Sequence, residues 1–144
     1  MGLFNTIYMS KKKSFECRHS FTVFPNDLNF VGTLFGGKLL AEMDIAAAKL
    51  ARRLVYNNPD VDGCVTVSSD AEFIKPAFQG DIIKMVVKLK TIGRSSLGMR
   101  IQVEREDLRG HVELIATGNF TFVSVKDKKS MPHGVSFNDE VITD

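Results

Sequence analysis

A single helix-forming segment constrains the fold of this 144-residue chain more than any other feature. The run from Gly37 to about Tyr56 consists of strong helix formers and ends before Pro59, because the residue that precedes a proline is pushed out of the helical region. Apolar residues recur in helical spacing at positions 39, 40, 43, 47, 50 and 54. The middle, Leu39 to Leu50, is apolar or alanine-rich around most of its circumference, so other elements must cover it on most sides.

Nearly all of the remaining sequence has the pattern of β-strands. Aromatic and β-branched residues from Phe15 to Phe24 predict a first strand before the helix. Four strands are predicted after it: Cys64 to Phe73, Asp81 to Ile92, Leu97 to Glu106 and His111 to Val125. The alternation of apolar and polar residues from Leu97 to Glu104 is typical of antiparallel strands with one solvated face. We therefore expect an α+β domain, residues 15–125, in which a curved antiparallel sheet of about five strands, arranged as a meander, wraps one long helix.

The two ends of the chain and its bulk composition narrow the class of protein. Residues 1–14 are expected to form a flexible arm, and residues 126–144 a polar tail that is ordered only in part. The net charge of +2, with scattered Lys and Arg residues, does not suggest a nucleic-acid binder. No apolar run is long enough to span a membrane and no leader pattern is present, so a cytoplasmic protein is expected. Because an open sheet has edges, pairing with a second copy is also expected.

The cysteines and histidines suggest neither a metal site nor a familiar hydrolase. Cys17 and Cys64 are isolated and are interpreted as reduced, structural thiols rather than zinc ligands or a disulfide. The three histidines, His19, His111 and His133, accompany no serine-hydrolase, zinc-protease or nucleotide-binding motif.

Asp44 is the strongest candidate for a catalytic residue. Its neighbours three and four positions away on the helix are Leu40, Ala41, Ala47 and Ala48. No cation therefore lies on its own helix face, and carboxylates in such settings cluster at active sites. The alternative is a structural carboxylate paired with an arginine from the sheet. Glu42 lies about 200° around the helix from Asp44 and is expected at the surface, paired with Lys38 or Lys49.

The loop before the helix contains candidate donors for an oxyanion. Gly36 and Gly37 stand at the helix start, where unsatisfied N–H groups and the helix dipole favour negative charge. Without Cβ atoms, their backbone can approach a carbonyl oxygen closely, although tight packing of the loop explains both glycines equally well. Asn29 begins this loop and is either part of the site or a turn residue, which is the commoner role of asparagine.

A second group of residues could bind a phosphate. Arg94, Ser95 and Ser96 lie between two predicted strands, where a cation, two hydroxyls and backbone N–H groups can hold an anion. An ordinary hairpin turn is the alternative. Lys75, which precedes a proline at the end of a strand, is similarly ambiguous.

The residues from 29 to 44 follow the pattern NxxGxxFGGxLLxxMD. Downstream of it come VTV at 65–67, FIKP at 73–76, GD at 80–81 and GRSSL at 93–97. In order and spacing, this combination resembles the acyl-CoA hydrolase branch of the hotdog-fold thioesterases over roughly residues 20–125. The resemblance implies a hotdog fold in which two protomers join their sheets and active sites form at the dimer interface, often within trimers of dimers.

The same resemblance implies the chemistry. The chain would hydrolyse acyl-CoA to the free acid and CoA, with no metal or other cofactor, since coenzyme A is part of the substrate. Asp44 would act as general base or nucleophile, and Asn29 of the facing protomer would orient water or the thioester. The helix end at Gly36 and Gly37 would polarise the thioester carbonyl. The residues near the CoA moiety would be Arg94, Ser95, Ser96 and Lys75.

Two alternatives remain open. A hotdog hydratase acting on acyl thioesters would need an Asp–His or Glu–His pair at the site, and no histidine lies near the helix motif in the sequence. A non-catalytic acyl-CoA sensor would keep the pocket and lack the base. The presence of Asp44 favours the hydrolase.

Overall fold

A computed structural model describes residues 15–137, and it has one long helix and six strands. The elements, in chain order, are β1 (Glu16–Thr22), a 3-10 turn (Pro25–Asp27), α1 (Gly36–Val55), β2 (Gly63–Phe73), β3 (Ile82–Ile92), β4 (Ser96–Glu106), β5 (Val112–Lys126) and β6 (Lys129–Ser130). The predicted helix and five strands are present with ends that agree within two residues. The predicted N-terminal arm, residues 1–14, lies outside the described residues.

The strands form one antiparallel sheet with the order β1-β3-β4-β5-β2, and β6 pairs with the end of β5. The prediction of a simple meander is therefore wrong for two of the strands. Only β3, β4 and β5 follow one another through the sheet, whereas β2 lies at the far edge and the chain must cross the sheet to reach β3. Turn residues and alternation are the same for a meander and for the observed order, so these local patterns do not distinguish the two.

The helix packs into the concave face of this sheet. The buried face of α1 is made of Leu39, Met43, Ala46, Ala47, Leu50, Ala51, Leu54 and Val55. Opposite it, every second residue of β4 is buried, from Leu97 to Val103, as the alternation predicts. The helix is not covered on all sides, however, because Leu40 and Ile45 are exposed. An uncovered stripe that includes Leu40 therefore runs along α1 beside β2.

The segment after β5 is more ordered than its polar composition suggests. β6 pairs with Val125 and Lys126, and the chain then runs on to bury His133 and Val135. These two side chains attach the first part of the predicted tail to the body of the protein. Within residues 15–137, no helix is long and apolar enough to cross a membrane.

Candidate active site

Asp44 lies in the middle of α1 and is held by a hydroxyl group from the sheet. The Thr66 hydroxyl of β2 donates to Asp44 Oδ1 at 2.7 Å. Within residues 15–137, no cation pairs with this carboxylate. The alternative, a structural ion pair between Asp44 and an arginine of the sheet, is therefore wrong for these residues. The second oxygen, Oδ2, has no hydrogen-bond partner among these residues. Asp44 therefore has lone pairs that remain available to a ligand or a water molecule.

A cleft of about 310 Å³ opens beside Asp44 along the uncovered stripe of the helix. It is lined by Gly37, Leu40, Ala41, Asp44, Thr66, Ser69 and Phe120. The four helical residues are spaced i, i+3, i+4 and i+7, which places them on one face of α1. Small and apolar side chains thus surround a single carboxylate. Such a cleft suits a ligand with an apolar part next to a reactive polar group.

A β-bulge brings two side chains of β2 to this cleft. The register of β2 against β5 shifts between Thr66 and Ser68. In a regular strand, residues three positions apart point to opposite faces, yet Thr66 and Ser69 both face the helix because Val67 is the extra residue. Bulges often redirect a side chain next to an active site. No role of Thr66 could be predicted from the sequence, because neither the bulge nor the pairing across the sheet has a local signal.

Glu42, two residues from Asp44, has a different environment. It accepts hydrogen bonds from His19 Nε2 at 2.7 Å and from Lys38 Nζ at 3.0 Å. Burial favours the protonated acid, but the hydrogen bonds from His19 and Lys38 outweigh it, and the pKa of Glu42 lies below its ordinary value. The predicted pairing with Lys38 is confirmed. No histidine lies near the helix motif in the sequence, but β1 runs alongside α1 and brings His19 to it in the fold.

The glycines at the start of the helix lie against aromatic rings. A Cβ on Gly37 would come within 2.5 Å of the Phe35 ring, and one on Gly36 within 3.2 Å of the Phe73 ring. A side chain at position 37 would therefore have to displace the half-exposed Phe35 ring. Gly37 lines the cleft of Asp44, but seven residues of helix separate them, about 10 Å at 1.5 Å per residue. The helix end and Asp44 therefore open onto the same cleft, about 10 Å apart along the helix.

Asn29 organises the loop that precedes the helix. Its side-chain oxygen accepts from the backbone N–H groups of Val31 and Thr33, and its amide donates to the Thr33 hydroxyl. Gly32 adopts a φ of +89° inside this turn, a conformation that favours glycine. Asn29 does not line the cleft of its own protomer. Its amide group has one N–H left for another partner.

The proposed phosphate-binding residues lie at two ends of the sheet. Ser95 is anchored to Ser124 of β5, while the backbone N–H of Lys75 donates to the carbonyl of Ile115, nine residues earlier on the same strand. This separation is about 30 Å at 3.3 Å per residue. Lys75 also forms an ion pair with Glu113 at 3.0 Å. A single protomer therefore cannot place Lys75 and Arg94, Ser95 and Ser96 around one phosphate.

Other reactive groups contribute little to this site. Burial raises the pKa of the Cys64 thiol to about 11, so it stays protonated at neutral pH and is a poor nucleophile. Cys17 is fully buried, and its thiol donates to the Ala46 carbonyl. Among residues 15–137, no group of three His, Cys, Asp or Glu side chains could hold a metal ion.

Comparison with known proteins places the chain in a family. The model of the Thioesterase superfamily matches residues 31–110. An uncharacterized acyl-CoA thioester hydrolase of Bacillus subtilis, YkhA, is 38% identical over 109 residues, which are 72% of this chain and 58% of the relative. An uncharacterized acyl-CoA thioester hydrolase of Haemophilus influenzae is 30% identical over 70% of this chain and 66% of its own length. The chain thus spans less than two thirds of each of these two relatives.

Solved structures agree with this placement. An acyl-CoA hydrolase from Staphylococcus aureus, solved with butyryl coenzyme A and coenzyme A, has a TM-score of 0.74 at 30% identity over 91% of this chain and 76% of its own. Variants of that enzyme have an aspartate, an asparagine or a threonine replaced by alanine. A hexameric thioesterase from Yersinia pestis has a TM-score of 0.72 at 29% identity over 82% of this chain and 93% of its own. With its single helix inside an antiparallel sheet, and a family model that matches more than half of its residues, this chain belongs to the hotdog-fold Thioesterase superfamily.

Proposed function

We propose that this protein hydrolyses acyl-CoA thioesters to the free acid and CoA, with Asp44 as the catalytic residue. The observation that carries the proposal is the Asp44 carboxylate itself, which accepts a hydrogen bond from Thr66, faces an open cleft and pairs with no cation among residues 15–137. The aspartate, asparagine and threonine replaced in the Staphylococcus enzyme are the same residue types as Asp44, Asn29 and Thr66, which supports the assignment.

The chemistry needs one base and one positioned water. Asp44 Oδ2 takes a proton from a water molecule in the cleft, and the oxygen of that water attacks the thioester carbonyl carbon. The C–S bond then breaks, and the leaving sulfur takes the proton back from Asp44 to give the CoA thiol. Direct attack by the carboxylate, followed by hydrolysis of the anhydride, uses the same residue in the same place. In both routes, negative charge develops on the carbonyl oxygen and requires hydrogen-bond donors.

A second protomer is proposed to supply those donors. The helix end at Gly36 and Gly37 lies about 10 Å from Asp44 along its own helix, so a loop from a second protomer can place a donor nearer to the carbonyl. Two-fold pairing brings the loop of one protomer to the cleft of the other. The free N–H of the Asn29 amide and the N–H groups at the helix end are the donors that this loop offers. This assignment gives each dimer two equivalent sites.

The edge of the sheet supports pairing between protomers. β2 is an edge strand of 11 residues, and its Val65 and Val67 side chains are about half exposed. A long apolar edge strand is a template for pairing with another chain. Phe30 and Val31, at the tip of the Asn29 turn, are also exposed, and burial against a second protomer removes this apolar surface from water. We propose a homodimer formed along β2 and, from the hexameric relatives, a trimer of dimers.

Several further assignments accompany this proposal. We place the CoA phosphates near Arg94, Ser95 and Ser96, and any contribution of Lys75 comes from the other protomer, given the separation of about 30 Å along β5. The reaction needs no metal or organic cofactor, because a thioester carbonyl is already activated. We also propose a cytoplasmic location, with residues 15–125 as the thioesterase domain and 126–144 as its tail.

A panel of CoA thioesters tests the proposal. We expect purified wild-type protein to release thiol from short-, medium- or long-chain acyl-CoA, and Asp44→Asn to lower kcat by about 100- to 10,000-fold, the usual contribution of a general base. Circular dichroism and mass in solution serve as controls that the variant remains a folded oligomer. Wild-type activity in Asp44→Asn would disprove the catalytic assignment.

The same panel separates the two alternatives. If the wild type binds acyl-CoA and releases no thiol, the sensor is favoured. One observation favours the hydratase: His19 and Glu42 form a hydrogen-bonded pair. That carboxylate is already engaged by Lys38, however, and neither Glu42 nor His19 lines the cleft of Asp44. Formation of a hydroxyacyl-CoA from an enoyl-CoA would favour the hydratase instead.

A further inference from the structure

The chain after β5 folds back over the turn that precedes β4. β6 leads into Met131, whose backbone N–H donates to the Ser124 carbonyl at 2.9 Å and whose carbonyl accepts from the Ser124 hydroxyl. The segment Lys129–Val135, which we call the strap, ends in the buried Val135. It therefore lies across the end of the sheet at the residues proposed to bind the CoA phosphates.

His133 is the centre of this contact, and only 3% of it is exposed. The Val135 N–H donates to His133 Nδ1 at 2.9 Å, so Nδ1 carries no proton. The proton is then on Nε2, which donates to the Ser96 carbonyl at 2.9 Å. The backbone of the same residue is also held, because its N–H donates to the Arg94 carbonyl and its carbonyl accepts from Asn58. Three of the four hydrogen-bonding groups of His133 thus join the strap to its surroundings, and the fourth, Nδ1, binds the backbone of the strap itself.

The turn is anchored through its carbonyl groups. Arg94 and Ser96 are held by His133, and the Ser95 carbonyl accepts from the backbone N–H of Ser124 at 2.8 Å. With three successive carbonyls fixed toward the protein, the turn has little freedom to rotate. The side chains of Arg94 and Ser95 then line a pocket of about 250 Å³, whose other wall is the strap, through Ser130, Met131 and Pro132.

We infer that the strap is part of the nucleotide site and that His133 is a positioning residue for it. This inference rests on the proposed function for the identity of the ligand. A guanidinium and two hydroxyls on opposite walls can bind a phosphate, and the flat, partly apolar wall of Met131 and Pro132 can contact a base or ribose. His133 fixes the position of the strap relative to the turn at residues 94–96 and does not contact the ligand itself.

Paired substrates and paired variants test the inference. His133→Asn keeps an acceptor for the Val135 N–H and loses the donor to Ser96, whereas His133→Gln can keep that donor and loses the acceptor. We expect each to raise the KM for acyl-CoA about tenfold or more with little change in kcat. The KM for the same acyl group on N-acetylcysteamine, which has no nucleotide, should not change. His111→Asn, at an exposed hairpin turn, is the matched control.

Coenzyme A binding, measured by calorimetry, separates this inference from the proposed function. Weaker CoA binding by the His133 variants than by wild type supports the strap even if wild type hydrolyses no thioester. If the His133 variants raise the KM for acyl-CoA and for the N-acetylcysteamine thioester equally, His133 has a purely structural role and the inference is overturned. Unchanged CoA binding despite lower thermal stability would overturn it as well. If the His133 variants do not fold, Asn58→Ala, which releases the His133 carbonyl and the Asp60 N–H in the adjacent turn, should weaken CoA binding by a smaller factor; unchanged binding there also overturns it. A wild-type protein that neither binds CoA nor hydrolyses its thioesters would disprove both ideas.

Discussion

Asp44 and Glu42 lie two residues apart on one helix, but their carboxylates have very different surroundings. Glu42 accepts hydrogen bonds from His19 and Lys38, which compensate its charge and lower its pKa. Asp44 accepts one from the neutral Thr66 hydroxyl and faces an open cleft. A rotation of about 200° around the helix separates the two environments. Glu42 is therefore placed to stabilise the contact between α1 and β1, and Asp44 is placed to react.

The largest expected effect is a difference in activity between the two matched amide variants. Asp44→Asn should lose about 100- to 10,000-fold in kcat, while Glu42→Gln should stay within a few-fold of wild type, because only Asp44 reaches the cleft. Steady-state hydrolysis of the best acyl-CoA, at saturating concentration, measures both. Equal losses in the two variants would mean that the helix does not separate a reactive carboxylate from a structural one.

The helix and strands could be predicted from the sequence because their patterns are local. Apolar spacing located α1, and alternation located β4, since each period reflects the side-chain direction of its own element. The same helical spacing showed that Asp44 has no cation on its own face. It also placed Glu42 on the other side, next to Lys38.

The contacts that distinguish the two carboxylates could not be predicted in the same way. His19 reaches Glu42 across 23 residues of sequence, and Thr66 reaches Asp44 across 22 residues. Both depend on the order of strands in the sheet, and a meander has the same local pattern as the observed order. The Val67 bulge and the burial of His133 also have no periodic signal, because each involves a single residue.

Thr66 is expected to have the next largest effect. Thr66→Val removes the hydroxyl that orients Asp44, and we expect kcat to fall about tenfold, since a misplaced base transfers protons less efficiently. Thr66→Ser keeps the hydroxyl and should retain most of the activity. Comparison of kcat for the two variants at one pH separates loss of the hydrogen bond from loss of packing. A valine variant as active as the serine variant would show that Asp44 needs no orientation from β2.

Glu42 should affect stability rather than activity. Glu42→Gln weakens the hydrogen bonds to His19 and Lys38, and we expect a loss of about 1 kcal/mol in the free energy of unfolding at pH 7. Because the folded pKa lies below the ordinary 4.5, this contribution is present above pH 4.5 and is lost as the pH falls through the folded value. Urea unfolding at pH 7 and pH 4 should therefore give a smaller difference at pH 4. A difference that does not depend on pH would argue against the ion pair.

Lys38 is expected to have the smallest effect, because its contributions oppose each other. Its ammonium group lies 3.0 Å from Glu42, a pair worth about 0.2–0.5 kcal/mol at i,i+4 spacing. It also lies in the first turn of α1, where the helix dipole disfavours a cation by about 0.3–1 kcal/mol. Lys38→Gln should therefore change the urea midpoint much less than Glu42→Gln does. If the two losses are equal, Lys38 rather than His19 provides most of the compensation for Glu42, and the contact with β1 contributes little.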